Sequence, residues 1–320
     1  MATRNVATRN IETSKIKNDF WLNAKDLAKI LNKDLSVVIS EIEKSFGPLR
    51  MKSILPPEIV RRYLSKKNFR FPEKVVSFQM LKGGVAKTTS ALNFGLRAAQ
   101  YGTRVLFIDL DQQANLTYAF GVDAEELPVW VDVCEKKNSI QECLIKVDKG
   151  IDLVPSSLNN SILDRVLLNG NRNWAQAVKG PLKEIRYHYD LVIIDTAPNL
   201  SAVNTAVTCA SDIVVLPVNP DKFSMLGVKK NIADLNDLKT EFNLKFKKKI
   251  LFTKFDGREL ASREILSQCI DLFEEMLLKN YIRTSTEIKN SIRSSKSLFS
   301  AKSNAKEDYD LVTRELLGWE

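Results

Sequence analysis

The stretch Leu81-Lys82-Gly83-Gly84-Val85-Ala86-Lys87-Thr88-Thr89 holds the residue types that bind a phosphate chain. Two glycines let the backbone turn sharply, lysines supply cations, and a threonine supplies a hydroxyl for Mg²⁺. The stretch follows an apolar run of strand character, 75–80, and opens a helical pattern over 87–101. A loop in that position aims its N–H groups, and the positive end of the helix behind it, at an anion. The spacing predicts that the backbone of Gly83, Gly84, Val85, Ala86 and Thr89 helps cradle the phosphates. Lys87 then neutralises the β and γ oxygens, and the Thr88 hydroxyl binds Mg²⁺.

Those groups need a scaffold. At 320 residues, with 44% hydrophobic and 27% charged residues, the chain is long enough to bury a large core. Runs rich in Val, Ile and Leu recur at 75–80, 104–109, 151–155, 191–195, 213–218 and 249–254, separated by helical stretches. Buried parallel strands read this way. They predict an α/β domain over 71–320, a doubly wound, mostly parallel sheet of the P-loop NTPase kind, with its ligand at the carboxyl ends of the strands. Residues 1–18 are polar, repeat Ala-Thr-Arg-Asn at 2–5 and 7–10, and are expected to form a disordered tail. Residues 19–70 read as three short helices. Asn23 caps the first, Gly47-Pro48 ends the second, and Pro56-Pro57 starts the third. Two helices about a tight turn, then a basic helix, resemble a small, winged, helix-turn-helix-like domain.

Two more segments carry chemistry. Val105-Leu106-Phe107-Ile108-Asp109-Leu110-Asp111-Gln112-Gln113-Ala114-Asn115-Leu116-Thr117 brings two carboxylates to a strand end. In Leu191-Val192-Ile193-Ile194-Asp195, four apolar residues bury a strand and deliver Asp195 toward a metal. Together with residues 82–89 these segments resemble the ParA/MinD family of ATPases. The first resembles the family's deviant Walker A, K-G-G-x-G-K-T-[TS], and departs from it at Ala86. The second resembles D-x-D-P-Q-x-N-x-T, with Gln112 in place of proline, and the third is a Walker B strand. Leu216-Pro217-Val218-Asn219-Pro220 and Thr253-Lys254-Phe255-Asp256-Gly257-Arg258 also match, and the resemblance implies that they border the adenine and the dimer face. The resemblance covers roughly 74–318. It implies ATP and Mg²⁺ as cofactors, a slow ATPase, and a homodimer closed by ATP. It places Lys82, Lys87 and Asp111 in catalysis, Lys82 reaching across the dimer and Asp111 orienting water. Thr88, Asp109 and Asp195 surround Mg²⁺. If position 86 needs a positive φ, the alanine methyl costs on the order of 1 kcal/mol.

Charge narrows the branch. Of the net +9, a surplus of eight lies before residue 75, sixteen basic residues against eight acidic, with Arg61, Arg62, Lys66, Lys67 and Arg70 the densest group. A basic excess in one small segment favours a polyanion such as DNA. The segment 282–306 sets Arg283, Lys289, Arg293, Lys296, Lys302 and Lys306 against Glu287 alone. It resembles the place where partition ATPases bind nonspecific DNA, so Arg283, Arg293 and Lys296 are the candidate contacts. No apolar run approaches the ~20 residues of a membrane span. The closing stretch 307–320 has an acidic polar face that anionic lipid repels. Four dispersed cysteines and one histidine argue against zinc or an iron–sulfur cluster. The expectation is a cytoplasmic, nucleoid-associated protein most like a plasmid-type ParA, with a centromere-binding ParB-type partner. Two other readings stay open: a nucleotide-switched repressor of its own operon, and a metabolic or cargo-positioning ATPase.

Overall fold

The computed structural model describes residues 21–49, 54–169, 173–294, 297–300 and 303–319, so the expected tail lies outside the described residues. The chain begins with β1 (Leu22–Asn23), α1 (Ala24–Ile30), α2 (Leu35–Phe46), β2 (Ile54–Leu55) and α3 (Pro57–Lys66). Then come β3 (Lys74–Phe78), α4 (Lys87–Gln100), β4 (Val105–Asp109), α5 (Asn115–Ala119), α6 (Trp130–Cys134), β5 (Ile145–Asp148) and β6 (Ile151–Val154). Next are α7 (Leu163–Asn169), α8 (Trp174–Ala177), α9 (Lys179–Ile185), β7 (Leu191–Asp195), α10 (Ala202–Ala210) and β8 (Ile213–Val218). The chain ends with α11 (Lys222–Glu241), β9 (Lys247–Phe252), α12 (Leu260–Phe273), α13 (Thr286–Ser294) and α14 (Asn304–Leu317).

The seven-stranded sheet runs β5-β6-β4-β7-β3-β8-β9, with every neighbouring pair parallel except β5 with β6. All six predicted strands are there. The antiparallel edge strand β5 is additional, four residues whose apolar pattern is too short to separate from a loop. From β3 the chain lays β4, the edge strand β5 and β6 on one side, returns to insert β7 between β4 and β3, then crosses to the other side for β8 and β9. The carboxyl end of β3 is therefore the switch point where such sheets take their ligands. Gly95 lets α4 lie close on the sheet: a methyl there would stand 2.2 Å from the Phe107 ring.

Three helices occupy the predicted places between 19 and 70, joined by a two-residue ribbon pairing Leu22 with Leu55. Their inner residues Leu27, Val38, Ile42, Val60 and Leu64 belong to the same apolar cluster as Phe94 of α4 and Tyr309 and Val312 of α14. Buried Arg97 of α4 fixes this junction. Its guanidinium donates to Asp310 of α14 at 2.7 Å, Asp26 of α1 at 2.9 Å and Gln100 at 2.7 Å. A second clasp centres on Asp190, which accepts from Arg61 of α3 at 2.5 Å and Arg104 at 2.8 Å. Gly102, at φ +86°, lies so near Arg61 that a Cβ would meet its backbone nitrogen at 2.7 Å.

Asp190 thus does more than precede β7, and of the basic group Arg61 alone is drawn in, while Arg62, Lys66, Lys67 and Arg70 stay exposed. Lys67 pairs with Glu41 at 2.9 Å, while Arg62 and Lys66 lie over the Phe46 ring. The apolar face of α14 is buried against α4. Among the described residues no helix is long and apolar enough to cross a membrane.

Candidate nucleotide site

Strand register sets the site. Asp195 at the end of β7 is paired with Phe78 of β3 on one side and Asp109 of β4 on the other. The loop 79–86 leaves β3 and passes into α4 at Lys87. A cavity of about 480 Å³ opens there, lined by Gly83, Gly84, Ala86, Lys87, Thr88, Thr89, Asp111 and Lys254 among others. Six of the predicted phosphate residues thus meet at one concave place, at the positive end of a fourteen-residue helix, while the Val85 side chain is buried in the apolar core and Lys82 does not line the cavity. Ala86 caps that helix in the left-handed conformation, φ +69° and ψ 32°. An L-residue there costs about 1–2 kcal/mol.

Lys87 is 7% exposed, and its Nζ lies 3.5 Å from the Lys82 carbonyl. Burial lowers the pKa of this ammonium, and the Asp195 and Asp111 carboxylates oppose the shift. Asp195 is fully buried, and neither of its oxygens has a hydrogen-bond partner within the protein. Burial and the neighbouring Asp109 push its carboxyl up to about 8. The nearby Thr88 hydroxyl and Lys87 pull the other way, the hydroxyl standing outside hydrogen-bond geometry. A buried carboxylate left unpaired is costly unless something else completes it. The oxygen donors of Asp195 and Thr88, facing a phosphate cradle, suit Mg²⁺.

Asp109 and Asp111 divide differently. Asp109 accepts from the Asp111 N–H at 3.1 Å, the Thr117 N–H at 2.9 Å and the Thr117 hydroxyl at 2.7 Å. Both its oxygens therefore hold its own loop together. Burial raises its carboxyl to about 7 against those hydrogen bonds. Asp111 lines the cavity and accepts from the Gln113 N–H at 3.0 Å. Thr117, the last residue of the 105–117 motif, is the anchor of Asp109, and its place eight residues after that aspartate is the sequence signal for it.

Lys82 is paired within its own chain, 2.5 Å from Asp221, the cap of α11. Of the residues proposed for DNA, Arg283 is gripped by Asp308, its Nη2 2.5 Å from Oδ1, while about a third of its side chain stays exposed. Lys296 and the Arg293 side chain lie outside the described residues. The 283 region adjoins the nucleotide site, since Phe255 bridges to Arg283 and the Thr284 hydroxyl donates to the Lys254 carbonyl at 3.0 Å.

Fold and site define a P-loop nucleotide-binding protein with a ParA/MinD-type phosphate loop. A family described as an AAA domain matches residues 73–248. A ParA family protein of Chlamydia trachomatis is 31% identical over 253 residues, 76% of this chain and 97% of that protein. The chain belongs to the ParA family. Among solved structures, cobyrinic acid a,c-diamide synthase from Mycobacterium smegmatis with bound ADP and magnesium is 28% identical. It superimposes with a TM-score of 0.67 over 76% of this chain and 94% of that one. A plasmid partition protein from Borrelia burgdorferi bound to AMPPNP shares the fold with a TM-score of 0.65 at 22% identity, over 77% and 99% of the two chains.

Proposed function

We propose that this chain is a partition ATPase: it binds Mg²⁺-ATP, closes into a dimer, grips nonspecific DNA, and hydrolyses ATP when a centromere-bound ParB-type partner stimulates it. The observation that carries the reading is the cavity at the start of α4, lined by Lys87, Thr88 and Asp111, with the fully buried, unpaired Asp195 close behind Thr88 and Lys87. The backbone N–H groups of 83–89 and Lys87 bind and orient the triphosphate, with Lys87 drawing charge from the transferring phosphoryl group. Mg²⁺ held beside Thr88 and Asp195, with Asp109 behind them, would neutralise the β and γ oxygens. Asp111 orients the attacking water. Lys82 completes the partner's site in the dimer, so one chain alone turns over slowly. DNA contact falls to the 282–306 segment through Arg283, Arg293 and Lys296, in the cytoplasm and on the nucleoid. Lys87→Ala tests the site: phosphate release at the wild-type rate would refute it. DNA binding measured with ATP, ADP and no nucleotide at two salt concentrations tests the rest. The reading predicts ATP-dependent binding that falls with salt.

The solved metabolic synthase keeps a metabolic ATPase as a rival, and such an enzyme would show no salt-sensitive DNA binding. A repressor reading attaches to the N-terminal helices. Deleting them is a poor test, because it strips Asp26 and Arg61 from buried partners on the ATPase. The outward face of α2, with Ser36, Ser40 and Lys44 exposed, is the better target. Ser40→Glu with Lys44→Glu would abolish operator binding by a repressor and leave a partition ATPase's nonspecific binding in place.

A further inference from the structure

Two of the three residues that bend the phosphate loop adopt left-handed backbone, Gly84 at φ +74° and Ala86 at φ +69°. Alanine reaches that conformation only against a steric penalty, so something must hold it. Two side chains at the end of β9 do. The Lys254 Nζ donates to the Gly84 carbonyl at 2.7 Å, and the Thr253 hydroxyl shares its one proton between the Val85 carbonyl at 3.2 Å and the Val218 carbonyl at 3.1 Å. In a planar trans peptide the carbonyl of one residue and the N–H of the next point opposite ways. Fixing these two carbonyls therefore fixes the directions of the Val85 and Ala86 N–H groups, the donors that enter the turn of α4.

Lys254 is itself constrained. It sits at φ +55°, its carbonyl accepts from the Thr284 hydroxyl at 3.0 Å, and the next residue, Phe255, donates its N–H to the Ile282 carbonyl at 3.0 Å. A surface lysine that touched the loop by chance would not need a left-handed backbone held on its far side. Its side chain also forms part of the cavity wall.

We propose that Lys254 is a positioning residue for nucleotide binding: with Thr253, it clasps the 84–86 backbone in the phosphate-receiving conformation and compensates for alanine at 86. This rests on the reading that the cavity binds Mg²⁺-ATP. A preorganised loop serves bound ATP and its transition state alike, so losing the clasp raises KM and leaves kcat little changed.

The test is calorimetric titration of the full-length protein with Mg²⁺-ATP, alongside steady-state turnover. Wild type, Lys254→Met and Lys254→Arg are each compared in the Ala86 and the Ala86→Gly backgrounds. Lys254→Met should bind ATP about tenfold more weakly, the scale of one lost charge-assisted hydrogen bond, with KM raised in parallel and kcat within about twofold. Lys254→Arg should recover most of the loss. In the Ala86→Gly background the same substitution should cost about twofold or less, because glycine holds the left-handed turn unaided. Unchanged ATP affinity in Lys254→Met overturns the proposal. So does an equal loss in both backgrounds, which would make the lysine a bare phosphate contact. A wild-type protein that takes up no ATP would instead defeat the nucleotide reading on which the proposal stands.

Discussion

The Lys82 ammonium lies 2.5 Å from the Asp221 carboxylate of the same chain, although the proposed mechanism needs it in the partner's site. The two groups are about one-third exposed, so the pair is worth ~0.2–1 kcal/mol. That is enough to hold the lysine back in a lone subunit and little enough to yield when a triphosphate arrives. Asp221 also caps α11 through the Ser224 N–H at 2.8 Å, a bond asparagine keeps. Asp221→Asn should therefore leave the fold intact and lower the protein concentration for ATP-dependent dimerisation by roughly two- to fivefold. Sedimentation at graded concentrations checks this, and a higher threshold would show that Asp221 aids the dimer.

The buried carboxylates at the strand ends make stability depend on pH. Burial raises Asp195 to about 8 and Asp109 to about 7, both from an ordinary value of 3.8. A raised carboxyl holds its proton more tightly folded than unfolded, so the contribution is greatest at low pH. It fades as pH rises from about 4 through the folded values of 7 and 8, and levels off above them. The ligand-free protein should thus lose melting temperature between pH 6 and 8, roughly the window just below those folded values. Asp195→Asn should flatten that slope and raise the ligand-free melting temperature at pH 8 by several degrees, for about 1–2 kcal/mol. The same variant should lose the added stability that Mg²⁺-ATP gives wild type. A wild-type slope of opposite sign would contradict the burial of Asp195.

Arg97 ties the N-terminal helices to the ATPase. With its side chain 1% exposed, and carboxylates from α1 and α14 on the guanidinium, its removal strips the cation from Asp310 and leaves Asp26 only Lys306. Losing one partner of a buried ion pair costs ~3–5 kcal/mol. Arg97→Met should lower stability by about that much in chemical unfolding, while Lys306→Met, which loses a contact to Asp26 at 3.3 Å nearer the surface, should cost under ~1 kcal/mol. Equal effects would mean that the junction is not organised around Arg97.

How far the sequence led is clearest at these positions. Asp109, Asp111 and Asp195 were legible because each closes a dense apolar run, and strand ends are where parallel sheets work. The φ at Ala86 was legible because a glycine had been expected there. Asp190 was not, because a carboxylate before a strand reads as a strand start, and its partners Arg61 and Arg104 lie 129 and 86 residues away. Arg62, Lys66 and Lys67 of α3 are exposed as their charge suggests, but that Arg61 is held by Asp190 and Lys67 by Glu41 was not legible, because charge counts carry no information about partners. Lys254 and Asp221 were out of reach for the same reason: their roles rest on contacts with a loop some 140 to 170 residues earlier.

The Arg283–Asp308 pair complicates any DNA assay. Arg283 also donates its backbone N–H to Asp308 at 2.9 Å, so Asp308, itself buried, anchors the whole turn. Arg283→Ala alone would strand that carboxylate and could disturb the neighbouring Thr284–Lys254 contact, mimicking a DNA defect through the nucleotide site. The double variant Arg283→Ala with Asp308→Asn removes the charge on both sides and leaves a side chain that can still accept from the backbone. If Arg283 meets phosphate with its outer edge, the double variant should lower DNA affinity in the ATP state and reduce the slope of log affinity against log salt by about 1, with ATP affinity unchanged. A salt slope identical to wild type would move the DNA face away from this arginine, because a phosphate contact cannot be lost without losing its counterion release.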